Sequence, residues 1–305
     1  MKNSVLFLFV FFAALTSQAS TLKTASLNLE GWADSSNKRA IKLNQLFQSQ
    51  GIMKDVSFLM VQESIEYKDS STAAQVAAAM GWKSFTQRRA SDNEGLGFIY
   101  APETQIENIQ VYQIQARGSD HDYARMALSA QVKDKTWGLI RYVNTHLADQ
   151  ATMSATRKAQ ITEILSWLEK LEKDSPSQWI IFGGDFNTDV SSATYAGEFD
   201  LLTQSNFHFL RSPSEGSSYS WKDDNGADKA LIDYFFLAPN ATKTKLQNYQ
   251  TQIYTQTIEQ GISDHGLVVM TLNASGETIV SYSTVTDFAK FLGWSTSYPS
   301  ESETW

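Results

Sequence analysis

The chain has 305 residues with 33 acidic and 25 basic side chains, a net charge of −8, and no cysteine. That length suffices for one large buried core, and the absence of cysteine excludes a disulfide framework, a thiol nucleophile and lipid attachment through sulfur. The acidic balance excludes a protein that grips nucleic acid by bulk basicity, because such binding rests on Lys and Arg neutralising phosphates, although one cation and a few local arginines can supply a positive field where it is needed.

In chain order, the first segment reads as an export signal. Lys2 gives the positive end, Val5 to Leu15 the apolar core, and Ser17-Gln18-Ala19 a small-x-small cleavage site. Cleavage after Ala19 and a secreted or periplasmic destination are expected. The apolar core is shorter than the ~20 residues of a membrane span, and no other segment approaches that length, so no transmembrane anchor is expected.

An alternating run, Thr24 to Asn28, opens the body of the protein. Residues 36–50 have helical spacing, with Ser36 as N-cap, Ala40, Leu43, Leu46 and Phe47 as the apolar stripe, and Gly51 as the stop. A strand is expected at 56–61 and an Ala-rich helix at 71–80, ended by Gly81. Strands fit Gly95–Tyr100, Met126–Val132 and Trp137–Val143. The spacing over 154–172 predicts a helix with Ile161, Ile164, Leu165, Leu168 and Leu171 on one face. A strand at 179–183, a helix near 192–204 and strands at 231–237 and 266–272 complete the order. Without a low-complexity linker, residues 20–273 read as one mixed α/β domain. Residues 274–305, rich in Ser, Thr and aromatics, form a C-terminal extension with no assigned role.

The strand ends carry the chemistry. The apolar run Trp179 to Phe182 breaks at Gly183-Gly184 and delivers Asp185 and Asn187, on one side if the chain stays extended. Asn28 closes the first run, Gln62-Glu63 the second, and His146 follows Val143-Asn144-Thr145. Asp233 lies inside the apolar run Ala230 to Leu237, where a lone charge is costly without a partner. Ser263-Asp264-His265 precedes the last run. In this order the set resembles the endonuclease/exonuclease/phosphatase superfamily of metal-dependent phosphodiesterases, over about residues 22–273.

The resemblance implies a four-layer α/β/β/α sandwich with two central mixed sheets, and hydrolysis of a phosphodiester by water. Hard oxygen ligands suit Mg²⁺, with Mn²⁺ as an alternative. By resemblance, Glu63, Asn28 and Asp264 hold the metal, and Asp185 orients or deprotonates the attacking water. His146 and His265 exchange protons, oriented by Glu94 and Asp233 respectively, while Asn187 and Arg125 bind phosphate. His121 and His208 have no metal-ligand spacing, and Arg88 and Arg89 read as solvated or as backbone contacts. Glu94 with its following strand, together with Arg125, tilts the choice to a deoxyribonuclease I-like nuclease acting on nucleic acid as a monomer without a nucleotide cofactor. A sphingomyelinase or inositol-phosphate-type phosphomonoesterase on the same scaffold is the alternative among enzymes, and a non-catalytic binding or toxin-like module the alternative outside them. There is no Gly-x-Ser-x-Gly elbow, P-loop or dinucleotide fingerprint.

Overall fold

A strand can be apolar on both faces only where both faces are covered, and the long apolar runs of this chain are covered in that way. In the run Phe58-Leu59-Met60-Val61, successive side chains point to opposite faces of the sheet. Phe58 and Met60 enter one core, Leu59 and Val61 a second, and all four are fully buried. The structure, a computed structural model, describes residues 20–278 apart from 32–36, 68–69, 91–92, 118–123, 150, 213, 224 and 241–243. The export signal, Ser36, His121 and the extension past Thr278 lie outside the described residues.

The elements run β1 Ser20–Asn28, α1 Lys38–Gln50, β2 Val56–Ile65, α2 Thr72–Met80, β3 Lys83–Arg88, β4 Glu94–Tyr100, β5 Ile106–Gln113, β6 Met126–Asp134 and β7 Gly138–His146. A 3₁₀ turn at Ala151–Met153 leads into α3 Ser154–Asp174, then β8 Trp179–Asp185, α4 Asp200–Thr203, and the short β9 Leu210–Arg211, β10 Ser214–Glu215, β11 Trp221–Lys222 and β12 Lys229–Ala230. Strand β13 Asp233–Pro239, β14 Thr244–Tyr254, α5 Gln256–Glu259 and β15 Leu267–Thr278 follow. One sheet has the order β10-β14-β15-β1-β2-β4-β3, the other β5-β6-β7-β8-β13-β9, and β11 pairs with β12. Both large sheets are mixed, since β1–β2 and β7–β8 are parallel while β1–β15 and β8–β13 are antiparallel.

The main core lies between the sheets, with Phe58, Met60 and Phe98 against Tyr142, Trp179, Ile181 and Phe235. Outside the first sheet, α1 and α2 bury Leu43, Phe47 and Val76 on Leu27, Leu59 and Ile99. Outside the second, α3 buries Ile161, Ile164 and Leu168 on Val143, Ile180 and Phe182. These are the four layers, helix on sheet on sheet on helix.

The expected helix near 192–204 is reduced to Asp200–Thr203. Upstream, Asp189 Oδ1 accepts from the Ser191 N–H and hydroxyl, and the Ser192 and Thr194 hydroxyls bond each other at 2.8 Å. Such local side-chain bonds compete with a helical ladder. Strand β14 escaped the sequence reading because its buried Leu246, Tyr249, Thr251 and Ile253 are separated by exposed polar residues and a register shift. Strands β3 and β5, polar and at sheet edges, were also unforeseen.

Candidate active site

Strand register brings the chemistry-bearing residues to one end of the sandwich. Asn28 of β1 pairs with Gln62 of β2, His146 of β7 with Asp185 of β8, and Asp185 in turn with Asp233 at the start of β13. The turn before β15 adds Asp264 and His265, with His265 bridged to Trp221. The two glycines let β8 reach this point. A Cβ on Gly183 would meet the Phe235 ring and Met60 at 2.7 Å, and one on Gly184, at φ 135°, would meet the Thr145 carbonyl oxygen at 2.1 Å.

Asp185 Oδ2 is the focus of the cluster. Asn28 Nδ2 donates to it at 3.1 Å, and Nε2 of His146 and of His265 lie 3.6 and 3.7 Å away. The same Asn28 Nδ2 donates to Glu63 Oε1 at 2.9 Å, while Asn28 Oδ1 accepts from the Glu30 N–H. Asn28 therefore spaces two carboxylates rather than presenting an oxygen, a departure from its expected place among the metal ligands. His265 Nδ1 bonds Asp233 Oδ2 at 2.8 Å, the expected pairing. Trp221 Nε1 donates to Asp264 Oδ2 at 3.0 Å, and the buried Asp264 Oδ1 has no hydrogen-bond partner.

Three expectations differ from the geometry. Among the described residues, the carboxylates within 4 Å of His146 are Glu63 and Asp185, whereas Glu94 is bonded to the buried Arg89. Glu94 lines the cleft as Arg89's partner and not as the acid orienting His146. The chain does not stay extended at Asn187, which takes φ 48°. Its N–H donates to Asp185 Oδ1 at 2.8 Å, an Asx turn made by Asp185, and its Nδ2 donates to the Leu147 carbonyl at 3.1 Å. Arg88 is exposed beside the cleft, but Arg89 is buried within it. His208 is exposed and outside the cleft lining.

Burial and charge set contrasting protonation states. Burial pushes the Asp185 carboxyl up, and neighbouring Asp233 adds to this, to about 7. Burial opposes the charged form of His265, but its contact with Asp233, with Asp185 and Asp264 nearby, outweighs burial and raises it to about 10. Burial, with Arg125 and Arg89, holds His146 well below the usual histidine range. Burial also raises Glu63, partly offset by the Asn28 hydrogen bond. One histidine is thus cationic and the other neutral, a separation set by their different partners.

The donor set fits a hard divalent cation. Glu63, His146 and Asp185 each offer a ligand atom within 4.8 Å of the others, as do Asp185, Asp233 and His265. The second group is already closed by the His265–Asp233 bond. The first opens on the cleft, where Asp264 Oδ1, without a hydrogen bond and 3.7 Å from His265 Nε2, adds an oxygen. Carboxylate oxygens of this kind suit Mg²⁺ or Mn²⁺.

The cleft, of about 540 Å³, also takes in Arg125, Tyr195, Trp221 and Ile232 and the buried Arg157–Glu198 pair. Arg125 is buried, 4.0 Å from Asp149, and its Nε and Nη1 have no hydrogen-bond partner. Arg157 has no motif in the sequence, but its spacing from Ile161 places it on the buried face of α3. Trp221 and Tyr195 carried no signal, since an aromatic residue in a polar stretch reads as surface.

No protein-family model matches the sequence, and a search of curated proteins finds no match. Solved structures do match. An endonuclease/exonuclease/phosphatase from Bacteroides vulgatus aligns with TM-score 0.63 at 16% identity, covering 84% of this chain and 100% of its own. Truncated TDP2 from Caenorhabditis elegans aligns with TM-score 0.59 at 14% identity, covering 83% and 97%. The human Nocturnin catalytic domain, with a bound sulfate anion, aligns with TM-score 0.59 at 15% identity, covering 84% and 95%. With two mixed sheets packed between helices and acids, amides and histidines gathered at one end, this chain has the fold of the endonuclease/exonuclease/phosphatase superfamily.

Proposed function

We propose that the chain is an exported, divalent-metal-dependent phosphodiesterase that hydrolyses a nucleic-acid backbone. The observation that carries this reading is the cleft in which Glu63, Asp185 and Asp264 face two buried histidines, one of them bonded to Asp233, and the buried Arg125. Carboxylates alone would repel a phosphodiester. Beside a cation, His265 and Arg125, they surround it with the charges its hydrolysis requires. Arg125 and Glu94, on which the likeness to nucleases rests, both line the cleft, and Tyr195 and Trp221 offer rings for a base or sugar. Export rests on Lys2, the apolar core and Ser17-Gln18-Ala19.

Glu63 and Asp264 would hold the cation, which supplies Lewis-acid stabilisation of phosphate oxygens and a more acidic water. Asp185, buried between the two histidines, would take the proton from the attacking water. His265, kept charged by Asp233, donates from Nε2 to the oxygen on which charge develops. Arg125 offers its N–H donors to a non-bridging oxygen, and His146, uncharged, binds without adding repulsion to the arginines around it. Asn28 keeps Glu63 and Asp185 apart and aligned.

The test is a panel of plasmid DNA, RNA, sphingomyelin vesicles and inositol phosphates, each with Mg²⁺ and with EDTA. DNA or RNA should be cleaved fastest, with activity lost in EDTA and restored by Mg²⁺ or Mn²⁺. Faster turnover of a lipid or an inositol phosphate would overturn the nucleic-acid reading, and full activity in EDTA the metal reading.

A further inference from the structure

Beneath the cleft, polar side chains join the two sheets inside an otherwise apolar core. Strands β2 and β4 pair in register as far as Val61 opposite Gly97, then resume with Ser64 opposite Gly95. Glu63 falls in the break, at φ 50°. Asn144 of β7, in the other sheet, reaches across and donates from Nδ2 to the Val61 carbonyl at 2.9 Å and to the Gly97 carbonyl at 3.1 Å. Its Oδ1 accepts from Gln62 Nε2 at 2.7 Å, and Gln62 Nε2 also donates to Ser26 Oγ on β1 at 3.1 Å. Asn144, Gln62 and Ser26 are all buried.

The break decides where Glu63 points. Side chains alternate along a strand, and Leu59 and Val61 face the helix layer. An unbroken β2 would send Glu63 the same way, into apolar surroundings under α1 and α2. A bulge re-aims a side chain and disturbs the local ladder, and buried backbone groups at such a place need partners. Asn144 supplies the donors at this point, and Gln62 holds Asn144 in the orientation that does so.

We infer that Asn144 and Gln62 are positioning residues: their clamp across the sheets fixes the bulge and so aims Glu63 into the cleft, where it ligates a divalent cation. The inference rests on the metal reading given above. Mn²⁺ binding, followed by calorimetry, should be about 10- to 100-fold weaker in Asn144→Leu, the range seen when groups behind a metal ligand are altered. KM for substrate at saturating metal should be little changed. Leu59→Ala, in the core between β2 and the helices, should lower stability but leave Mn²⁺ affinity intact, which separates aim from mere packing. Gln62→Met leaves Asn144 its two carbonyl bonds and covers the case in which Asn144→Leu does not fold; it should weaken Mn²⁺ about tenfold.

A second readout needs no metal. Glu63 Oε1 accepts from the Asn28 side-chain amide, so the Asn28 NH₂ resonances should move in both clamp variants and stay in place in Leu59→Ala. Unchanged Mn²⁺ affinity and unchanged Asn28 resonances in folded Gln62→Met or Asn144→Leu would overturn the clamp. Should wild type bind no Mn²⁺, or Glu63→Gln bind it undiminished, the metal reading fails instead, and the Asn28 resonances still report on whether the clamp aims Glu63.

Discussion

His146 and His265 sit on either side of one carboxylate, 3.6 and 3.7 Å from Asp185 Oδ2, yet their proton affinities are driven in opposite directions. The His265 value of about 10 lies above that of an unfolded histidine, so its contribution to stability is complete below pH 6.5 and is lost as pH rises through about 10. His146 has the reverse sign, contributing fully above pH 6.5 and less as pH falls below it. In metal-free protein, NMR titration should show one imidazole still charged at pH 8 and another neutral at pH 6. Asp233→Asn should drop the first toward the ordinary value, because burial is then opposed only by the more distant Asp185 and Asp264. Two histidines titrating together near pH 6.5 would contradict this assignment. The family resemblance named His265 as the partner of Asp233, and the sequence showed that Asp233, an acid inside an apolar strand, needs one. It gave no comparable handle on Glu94, whose partner Arg89 lies at the end of a neighbouring strand and looks like any solvated arginine.

Elements were legible where burial on both faces left a continuous apolar run, as in β2, β8 and β15, and where a helix stripe ended on Gly51 or Gly81. They were not legible where polar residues alternate along an edge, as in β3 and β5, or where a loop satisfies itself through Asp189, Ser191, Ser192 and Thr194. The bulge in β2 has no signature in Val-Gln-Glu-Ser, because its cause lies in the opposite sheet. In the sequence the double glycine of β8 marks the end of an apolar run; in the structure Gly183 is a close-packing position and Gly184 a strained backbone one. Gly184→Ala should therefore be severely destabilising, by more than about 4 kcal/mol, the exceptional end of single substitutions, since its Cβ would press on backbone and φ 135° disfavours any side chain. Urea unfolding provides the check. A loss of about 1 kcal/mol, the usual cost for an unstrained site, would show that β8 can shift to admit the methyl group.

At the scale of the whole molecule, the cleft lies across the seam between the two sheets, with Asn28 and Glu63 from one and His146 and Asp185 from the other. A ligand held there stabilises the packed state over the separated one. Mg²⁺ at a hundred times its dissociation constant should add about 2.7 kcal/mol, raising the melting temperature by roughly 5 °C at this chain length. Scanning calorimetry with Mg²⁺ and with EDTA checks this, and coincident transitions would count against a site on the seam. The pairing of β1 with β15 has a different consequence, one of timing. Thr21 and Asn273 touch across 252 residues of sequence, and the strand holding Asn28 finds this neighbour only when nearly all of the described chain has been made. Long-range pairing of this kind slows folding, and a chain emerging from the ribosome builds its N-terminal portions first. Asn28 and Glu63 are synthesised early, and the cluster around Asp185 gains His265 last, so the site is complete only once the final strand docks.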